Sequence, residues 1–372
     1  MMKSLVIVGA GAAGLACAAS AAKAGAKVTL CEAGARVGQK ILKTGNGRCN
    51  FTNLHVSPEG YNHPEFVREV LEAYSCAKIR AFFGELGLES YADDAGRVYP
   101  LSDTAASVLD VLRLALKKYG VTVLDSFETV GLDKSTVVSK DGRRVHGDSI
   151  VIATGGGTKL LTQAGHKIIP FSPVLGPLAT DTTPIRGLSG IRVKCEVKLL
   201  RGEHTVDTER GELLFRDYGV SGIAVFDISR FAKKSDVLSI DLAPDMDKNM
   251  LSEYLRARES ELSWRGKEDM LTGLFHKRVN EALLRACGTE PARLAEAIKD
   301  FRLTVTGSAE PKQAQLTRGG ADVRQFDSRT MQSKLVPSVY AAGETLDIDG
   351  RCGGYNLHWA FASGLRAAES AL

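Results

Sequence analysis

Three observations predict an α/β fold in which a discontinuous Rossmann-like domain is interrupted by a β-rich plus helical module. The chain opens on Val6-Ile7-Val8-Gly9-Ala10-Gly11-Ala12-Ala13-Gly14, followed by Ala18, Gly25 and, closing a second apolar run, Glu32. Its C-terminal part returns to a strand, glycine, acid and helix order from Val336 onward. Between them the composition shifts at about Pro170, where Pro170, Pro173, Pro177 and Pro184 precede strand-like and then helix-like runs.

In the opening unit Leu5 to Val8 is a short apolar strand and Leu15 to Lys23 an alanine-rich helix. Gly9 permits the sharp turn, Gly11 lets the backbone approach a pyrophosphate, and Gly14 allows close helix–strand contact. A helix N-terminus favours such a phosphate through its unbonded amides and macrodipole. Glu32 is placed to accept hydrogen bonds from a ribose hydroxyl. The pattern alone predicts a dinucleotide, with NAD as acceptable as FAD. The uncharged run from Leu5 to Ala22, flanked by Lys3 and Lys23, also has the outline of a signal peptide or membrane span. Its alanines and phased glycines favour a soluble, cytoplasmic protein.

With 372 residues, 44% hydrophobic and 25% charged, the chain is long enough for two or three globular domains. A net charge of +4 neither demands nor excludes a nucleic-acid partner. The seven cysteines show no CxxC pair and no zinc-type spacing, and the seven histidines are dispersed, so no metal site and a reducing compartment are expected.

Further along, residues 66–87 read as helical, and a second helix is expected from a cap at Ser102 or Asp103 to about Tyr119. Val121 to Leu124, Thr136 to Val138 and Ser149 to Ala153 read as a β-meander returning to the main sheet. That last strand ends in Ala153-Thr154-Gly155-Gly156-Gly157, where glycine lets backbone lie against a dinucleotide. The insert is expected over 171–310, β-rich in 171–245 and 301–310 and helical in 246–300, leaving 1–170 and 311–372 for the discontinuous domain. The prolines read as a linker. Residues 191–200, 211–215, 223–228 and 237–242 read as strands, and 250–258, 270–287 and 291–298 as helices. No second GxGxxG occurs.

A chain that opens in this way and closes on Ala342-Gly343-Glu344 plus a small-residue helix resembles the glutathione-reductase-like flavoproteins, whose late acid binds the ribitol of FAD. Glu344 would take that part, where aspartate is usual. Two loops then share a phrase, Thr44-Gly45-Asn46-Gly47-Arg48-Cys49-Asn50 and Asp349-Gly350-Arg351-Cys352-Gly353-Gly354-Tyr355-Asn356. Loops of this kind suit a flavin edge, since backbone amides reach its polar atoms and arginine offsets the charge gathered on reduction.

Together with Gly96-Arg97-Val98-Tyr99-Pro100, Gly211 to Phe215, Tyr218 to Gly222 and Thr317-Arg318-Gly319-Gly320, these segments resemble the BaiN/RdsA family of bacterial FAD-dependent oxidoreductases over nearly the whole chain. The resemblance implies a discontinuous FAD-binding domain, FAD as cofactor and NAD(P)H as a transient reductant. It implies either a small-molecule substrate, reduced at the C=C bond of a conjugated carbonyl, or a ribosomal RNA uridine reduced to dihydrouridine. An amine oxidase and a flavin-bearing, non-catalytic binding protein are the alternatives. No membrane partner and no metal are implied, and the oligomeric state is open. The cofactor residues would be Gly9, Gly11, Ala13, Gly14, Glu32, Arg36, Lys40, Thr44, Gly45, Asn46, Gly47, Arg48, Asn50, Ala153, Thr154, Gly155, Gly156, Gly343, Glu344, Gly353, Gly354, Tyr355 and Asn356. Cys49 or Cys352 would supply the proton that accompanies hydride transfer. The basic stretch Arg36, Lys40, Lys43 and Arg48 suits either cofactor charge balance or an RNA-facing loop. One departure stands out: the glycine-rich loop usual in the family after Gly156 is cut short here.

Overall fold

In the computed structural model, which describes residues 2–309 and 316–372, the opening pattern is a strand, a turn and a helix. The strands β1 (Ser4–Val8), β2 (Lys27–Cys31), β3 (Thr122–Leu124), β4 (Ser149–Ile152) and β5 (Val339–Ala341) form one sheet in the order β5-β4-β1-β2-β3. Every neighbouring pair is parallel, with Val6 in register with Thr29 on one side and Ile150 on the other. β1 lies at the centre, and four of its five residues, Leu5 to Val8, are buried, as a strand covered on both faces requires. The run that outlined a membrane span is therefore divided among β1, the turn and the 12-residue helix α1 (Ala12–Lys23). No helix among the described residues is long and apolar enough to cross a membrane.

The chain divides into two units, Met1–Ser172 with Thr317–Leu372, and Pro173–Leu316. The boundary expected between 310 and 311 lies outside the described residues. In the first unit α1 packs along the C-terminal helix, where a Cβ on Gly364 would sit 2.3 Å from the Ala13 carbonyl oxygen. The helical stretch expected over 66–87 is two helices, α2 (Pro64–Ala73) and a following one at Cys76–Glu85. Tyr74 leaves helical geometry and Ser75 caps the second, accepting from the Lys78 amide. The next helix, Ala105–Lys118, starts on Thr104 and not on Ser102 or Asp103, because the Thr104 hydroxyl accepts from the Ala106 amide. Of the expected meander, β3 joins the parallel sheet instead. The antiparallel part consists of Thr129–Asp133, Thr136–Ser139 and Arg144–His146.

The second unit is a closed six-stranded barrel with helices at Lys248–Glu261, Lys277–Cys287 and Pro291–Lys299. Its strands are Leu178–Thr180, Gly219–Ser221, His204–Arg216, Arg192–Arg201, Val237–Asp241 and Phe301–Ser308. The proline-marked linker is itself structured: Ile168–Val174 pairs with Leu316–Ala321, and Leu178–Thr180 belongs to the barrel. Ile223–Ser229, expected as a strand from its β-branched residues, is a helix. Gly222 adopts φ +103° to turn the chain into it, against the Glu212 carbonyl oxygen, so packing overrides propensity there. The helix expected from Met270 begins only at Lys277, with the His276 ring accepting from the Arg278 amide as its cap.

Candidate active site

The turn after β1 is shaped by close contacts. Gly9 has φ +101°, and a Cβ there would lie 2.4 Å from the Ala153 carbonyl oxygen, while one on Gly14 would lie 1.9 Å from the Gly9 carbonyl oxygen. Gly11 differs from both. Its backbone is extended at the start of α1, and a Cβ on it would meet nothing within 4 Å. The turn thus keeps an open face in front of the α1 N-terminus. Glu32 closes one side: its carboxylate oxygens each accept from one backbone amide, Ala10 at 2.8 Å and Gly34 at 2.8 Å. Each oxygen keeps a lone pair for a further donor.

The loop after β4 lies across the same turn, with Ala153 N donating to the Val8 carbonyl at 2.8 Å. Beyond it, Gly155 N donates to Thr345 Oγ1 at 3.1 Å. A Cβ on Gly155 would come within 3.6 Å of Glu344 Oε2 and 3.7 Å of Lys40 Nζ, which themselves pair at 3.1 Å. Gly343 N is held by Ser363 Oγ at 2.9 Å and its carbonyl by Trp359 Nε1 at 3.2 Å. Lys40, Gly155 and Glu344 therefore gather beside the turn.

The two Gly-Arg-Cys loops are brought together around the start of α3 (Tyr355–Ala371). Gly45, Asn46 and Gly47 take φ +54°, +54° and +86°, and Cys49 +59°, a left-handed run that glycine and asparagine tolerate best. Asn53 Nδ2 donates to the Gly353 carbonyl at 2.8 Å. A Cβ on Gly354, at φ +103°, would lie 2.4 Å from the Thr52 carbonyl oxygen and 2.8 Å from Asn50 Oδ1. That Oδ1 is buried and has no hydrogen-bond partner among the described residues, an unusual state for a native acceptor. Asn356 folds back on its own loop, accepting from Gly350 N at 2.7 Å and donating to the Gly350 carbonyl at 2.9 Å.

The HI0933-like protein Rossmann domain pattern matches residues 3–370. This chain belongs to the HI0933-like family. It is 32% identical over 406 residues to the 3-dehydro-bile acid delta(4,6)-reductase of Clostridium scindens, covering 100% of this chain and 99% of that protein. It is 30% identical over 397 residues to the ribosomal RNA dihydrouridine synthase of Haemophilus influenzae, covering 98% and 97%. Among solved structures it overlays on a 3-ketosteroid-delta4-(5alpha)-dehydrogenase from Rhodococcus jostii with a TM-score of 0.45 and 14% identity, covering 99% and 97%. That overlay is too loose to bear on chemistry. The family resemblance read from the motifs is thereby shown.

Within this HI0933-like protein the expected residues are placed unequally. Gly9, Gly11, Gly14, Glu32 and Ala153 to Gly156 surround the turn, with Lys40 and Glu344 beside it, and Arg36 is exposed nearby in the chain. Thr44 binds its own loop, Oγ1 donating to the Ile41 carbonyl at 2.7 Å. Ala13 is buried between α1 and α3, a packing position. Arg48 turns to Tyr99, its guanidinium 4.1 Å from the ring centroid, and to Asp103 at 3.1 Å. Cys49 is fully buried in the core of its unit, and burial pushes its thiol up to about 11. Cys352 is half-buried on its loop. The Tyr355 hydroxyl donates to the His55 carbonyl at 2.8 Å, anchoring the first turn of α3.

Sequence reasoning missed the supports of the 347–352 loop. Arg318 forms a two-point pair with the fully buried Asp349, at 2.7 and 3.0 Å. Asn62 bonds the Asp349 amide and carbonyl at 2.9 and 3.1 Å. His63 Nε2 lies 3.1 Å from Asp347 Oδ2. An acid directly before Gly-Arg-Cys and an arginine in Thr317-Arg318-Gly319-Gly320 were the available signals, but nothing in their spacing pairs them.

A buried histidine gives this protein a pH response. His358, on α3, is fully buried with Nδ1 2.7 Å from Thr52 Oγ1, and burial pushes its imidazole down to about 4. The unfolded value is about 6.5, so between these values the unfolded chain binds the extra proton. Its contribution is complete above about pH 6.5 and is lost as pH falls toward 4, at up to about 1.4 kcal/mol per pH unit. Urea unfolding at pH 7.5 and 5 should show this loss, reduced in His358→Asn. Identical pH slopes in the two proteins would contradict it.

Proposed function

We propose that this HI0933-like protein is an FAD-dependent oxidoreductase that takes two electrons from NAD(P)H and reduces an activated C=C bond of a conjugated carbonyl. The observation that carries this reading is the pair of unfilled requirements in one unit: the open face of Gly11 at the α1 N-terminus, and the unpartnered Asn50 Oδ1 beside the start of α3. Both fit FAD. The α1 amides and dipole suit its diphosphate, Glu32 suits ribose hydroxyls, and Asn50 Oδ1 suits an N–H donor of the flavin ring. When bound, FAD supplies the two-electron carrier between nicotinamide and substrate.

The chain's own groups do the rest. Glu344, steadied by Lys40, offers acceptors to ribitol hydroxyls, and Arg36 adds charge near the diphosphate. The N-terminus of α3 at Gly354, which has no side-chain cap, would favour negative charge on a flavin held there. Cys352, half-buried on its loop, is the better placed of the two cysteines to deliver a proton to the substrate α-carbon. Cys49 is sealed in the core. The overall balance is one nicotinamide oxidised and two electrons and two protons added across the double bond. The seven cysteines, without a CxxC pair or a pairing pattern in the sequence, suit a reducing cytoplasm.

The 32% identity to a bile-acid reductase favours a small conjugated ketone as substrate. Reduction of uridine in ribosomal RNA is the second reading, favoured by the 30% identity to a dihydrouridine synthase. The basic stretch supports it weakly, since Lys40 pairs with Glu344 and Arg48 with Asp103. Turnover of NADPH with a 3-keto-4-ene steroid acid, set beside dihydrouridine content of ribosomal RNA from a deletion strain, separates the two. The first reading expects consumption of the enone and unchanged RNA. Loss of dihydrouridine with an inert enone would replace it by the second. Cys352→Ala should cut turnover about 100-fold with flavin content unchanged, and Cys49→Ala should not. Full turnover in Cys352→Ala would remove the thiol from the mechanism.

A further inference from the structure

The same unit holds a second concavity, a groove of about 540 Å³ between the start of α2 and the segment 323–334. Its floor is aromatic, with Phe326 buried and Phe66 half-buried. Its rim is basic: the Arg324 and Arg329 side chains are 75% and 76% exposed, and Lys334 stands beside them. Arg324 pairs with Asp322, and Arg329 lies 3.5 Å from Glu69. The Arg329–Glu69 pair, exposed on both sides, contributes at most about 1 kcal/mol and yields to a stronger anion, whereas Arg324 is held at two points by the buried Asp322. Lys334 Nζ donates to the Arg324 carbonyl at 3.0 Å and forms no ion pair among the described residues. Two carboxylates also line the groove, Glu65 and Asp327, but Asp327 Oδ1 is turned to its own loop, accepting from the Arg329 amide at 2.8 Å.

The groove's inner wall links it to the candidate site. Asn62 and His63 line it, and the same two residues brace Asp349 and Asp347 in the loop that leads to Cys352. The chain has no second GxGxxG turn, so a second dinucleotide needs cationic side chains to hold its phosphates. We propose that this groove receives the phosphate-bearing half of NAD(P)H, with Arg329 and Lys334 on the phosphates and Phe66 against the adenine. The inference rests on the reductase reading above and adds to it the place where the reductant docks.

Calorimetric titration of the flavin-loaded protein with NADP⁺ and with NAD⁺ tests it. Arg329→Glu and Lys334→Glu alter exposed side chains and should leave flavin content and melting unchanged while weakening nucleotide binding at least tenfold. Lys27→Glu, the same charge change at an exposed position elsewhere on the unit, should leave it unaltered. Wild-type binding should also weaken steeply with salt. Affinities within twofold of wild type in both groove variants, or no binding of either nucleotide to the wild type, would overturn the proposal. Flavin that NADPH reduces in a protein whose nucleotide affinity ignores both variants sinks the groove alone. Flavin that neither NADH nor NADPH reduces sinks the reductase reading, whatever the titration shows.

Discussion

Gly11→Val should leave the fold intact and strip the protein of its flavin. A Cβ at Gly11 meets nothing within 4 Å and the backbone there is extended, so valine fits the polypeptide. As a helix N-cap it costs at most about 1 kcal/mol. Its methyl groups would project into the open face before α1, which the cofactor diphosphate is proposed to fill. Flavin-to-protein ratio after purification should fall at least tenfold while the urea midpoint of the flavin-free protein stays close to wild type. Gly14→Ala provides the opposite signature, because its Cβ would lie 1.9 Å from the Gly9 carbonyl oxygen. The turn must shift to admit it, a loss of about 1–3 kcal/mol. Full flavin content in Gly11→Val would show that the open face is not where the cofactor lies.

Asp349→Ala should be among the most destabilising single substitutions in the chain. Asp349 is fully buried and meets Arg318 at two points, while the Arg318 side chain is only 27% exposed. Removing the carboxylate takes from the largely buried guanidinium its two-point partner, a cost of about 3–5 kcal/mol. Replacing the pair together, Arg318→Met with Asp349→Leu, should recover most of that loss, since apolar residues of similar volume satisfy a buried site as well. The two variants compared by urea unfolding decide the matter. An Asp349→Ala midpoint within error of wild type would mean the pair is not load-sharing in the 347–352 loop. Because that loop carries Arg351 and Cys352, Asp349→Ala should also impair turnover in the fraction that remains folded.

The parts of the fold legible in sequence are those with a local cause. β1, its turn and α1 follow from an apolar run and glycines whose spacing is set by backbone approach, and Gly9 and Gly14 show those contacts. The strands at Leu5 to Val8 and Ser149 to Ile152 and the helix ending near Lys118 were likewise readable within a few residues, whereas the place of β3 in the parallel sheet and the start of the helix at Lys277 were not. Ile223–Ser229 was not, because its β-branched residues favour a strand and only packing against the barrel makes it a helix. The break at Tyr74 and Ser75 was hidden because apolar spacing continues through it on both sides. For the candidate site, the two Gly-Arg-Cys loops were visible as matching phrases, and the structure places them side by side. The fate of each side chain was not visible: Cys49 enters the core and Arg48 stacks on Tyr99, outcomes fixed by partners at remote positions in the chain. The Arg318–Asp349 pair is hidden for the same reason.

The FAD proposed for this HI0933-like protein would act as a redox carrier fed by a nicotinamide nucleotide. Anaerobic titration of the purified flavoprotein with NADH and NADPH, followed by its visible absorbance, tests that claim most directly. At least one of the two should bleach the oxidised flavin band, and a conjugated ketone should restore it. A flavin that dithionite bleaches but neither nicotinamide does would contradict that claim.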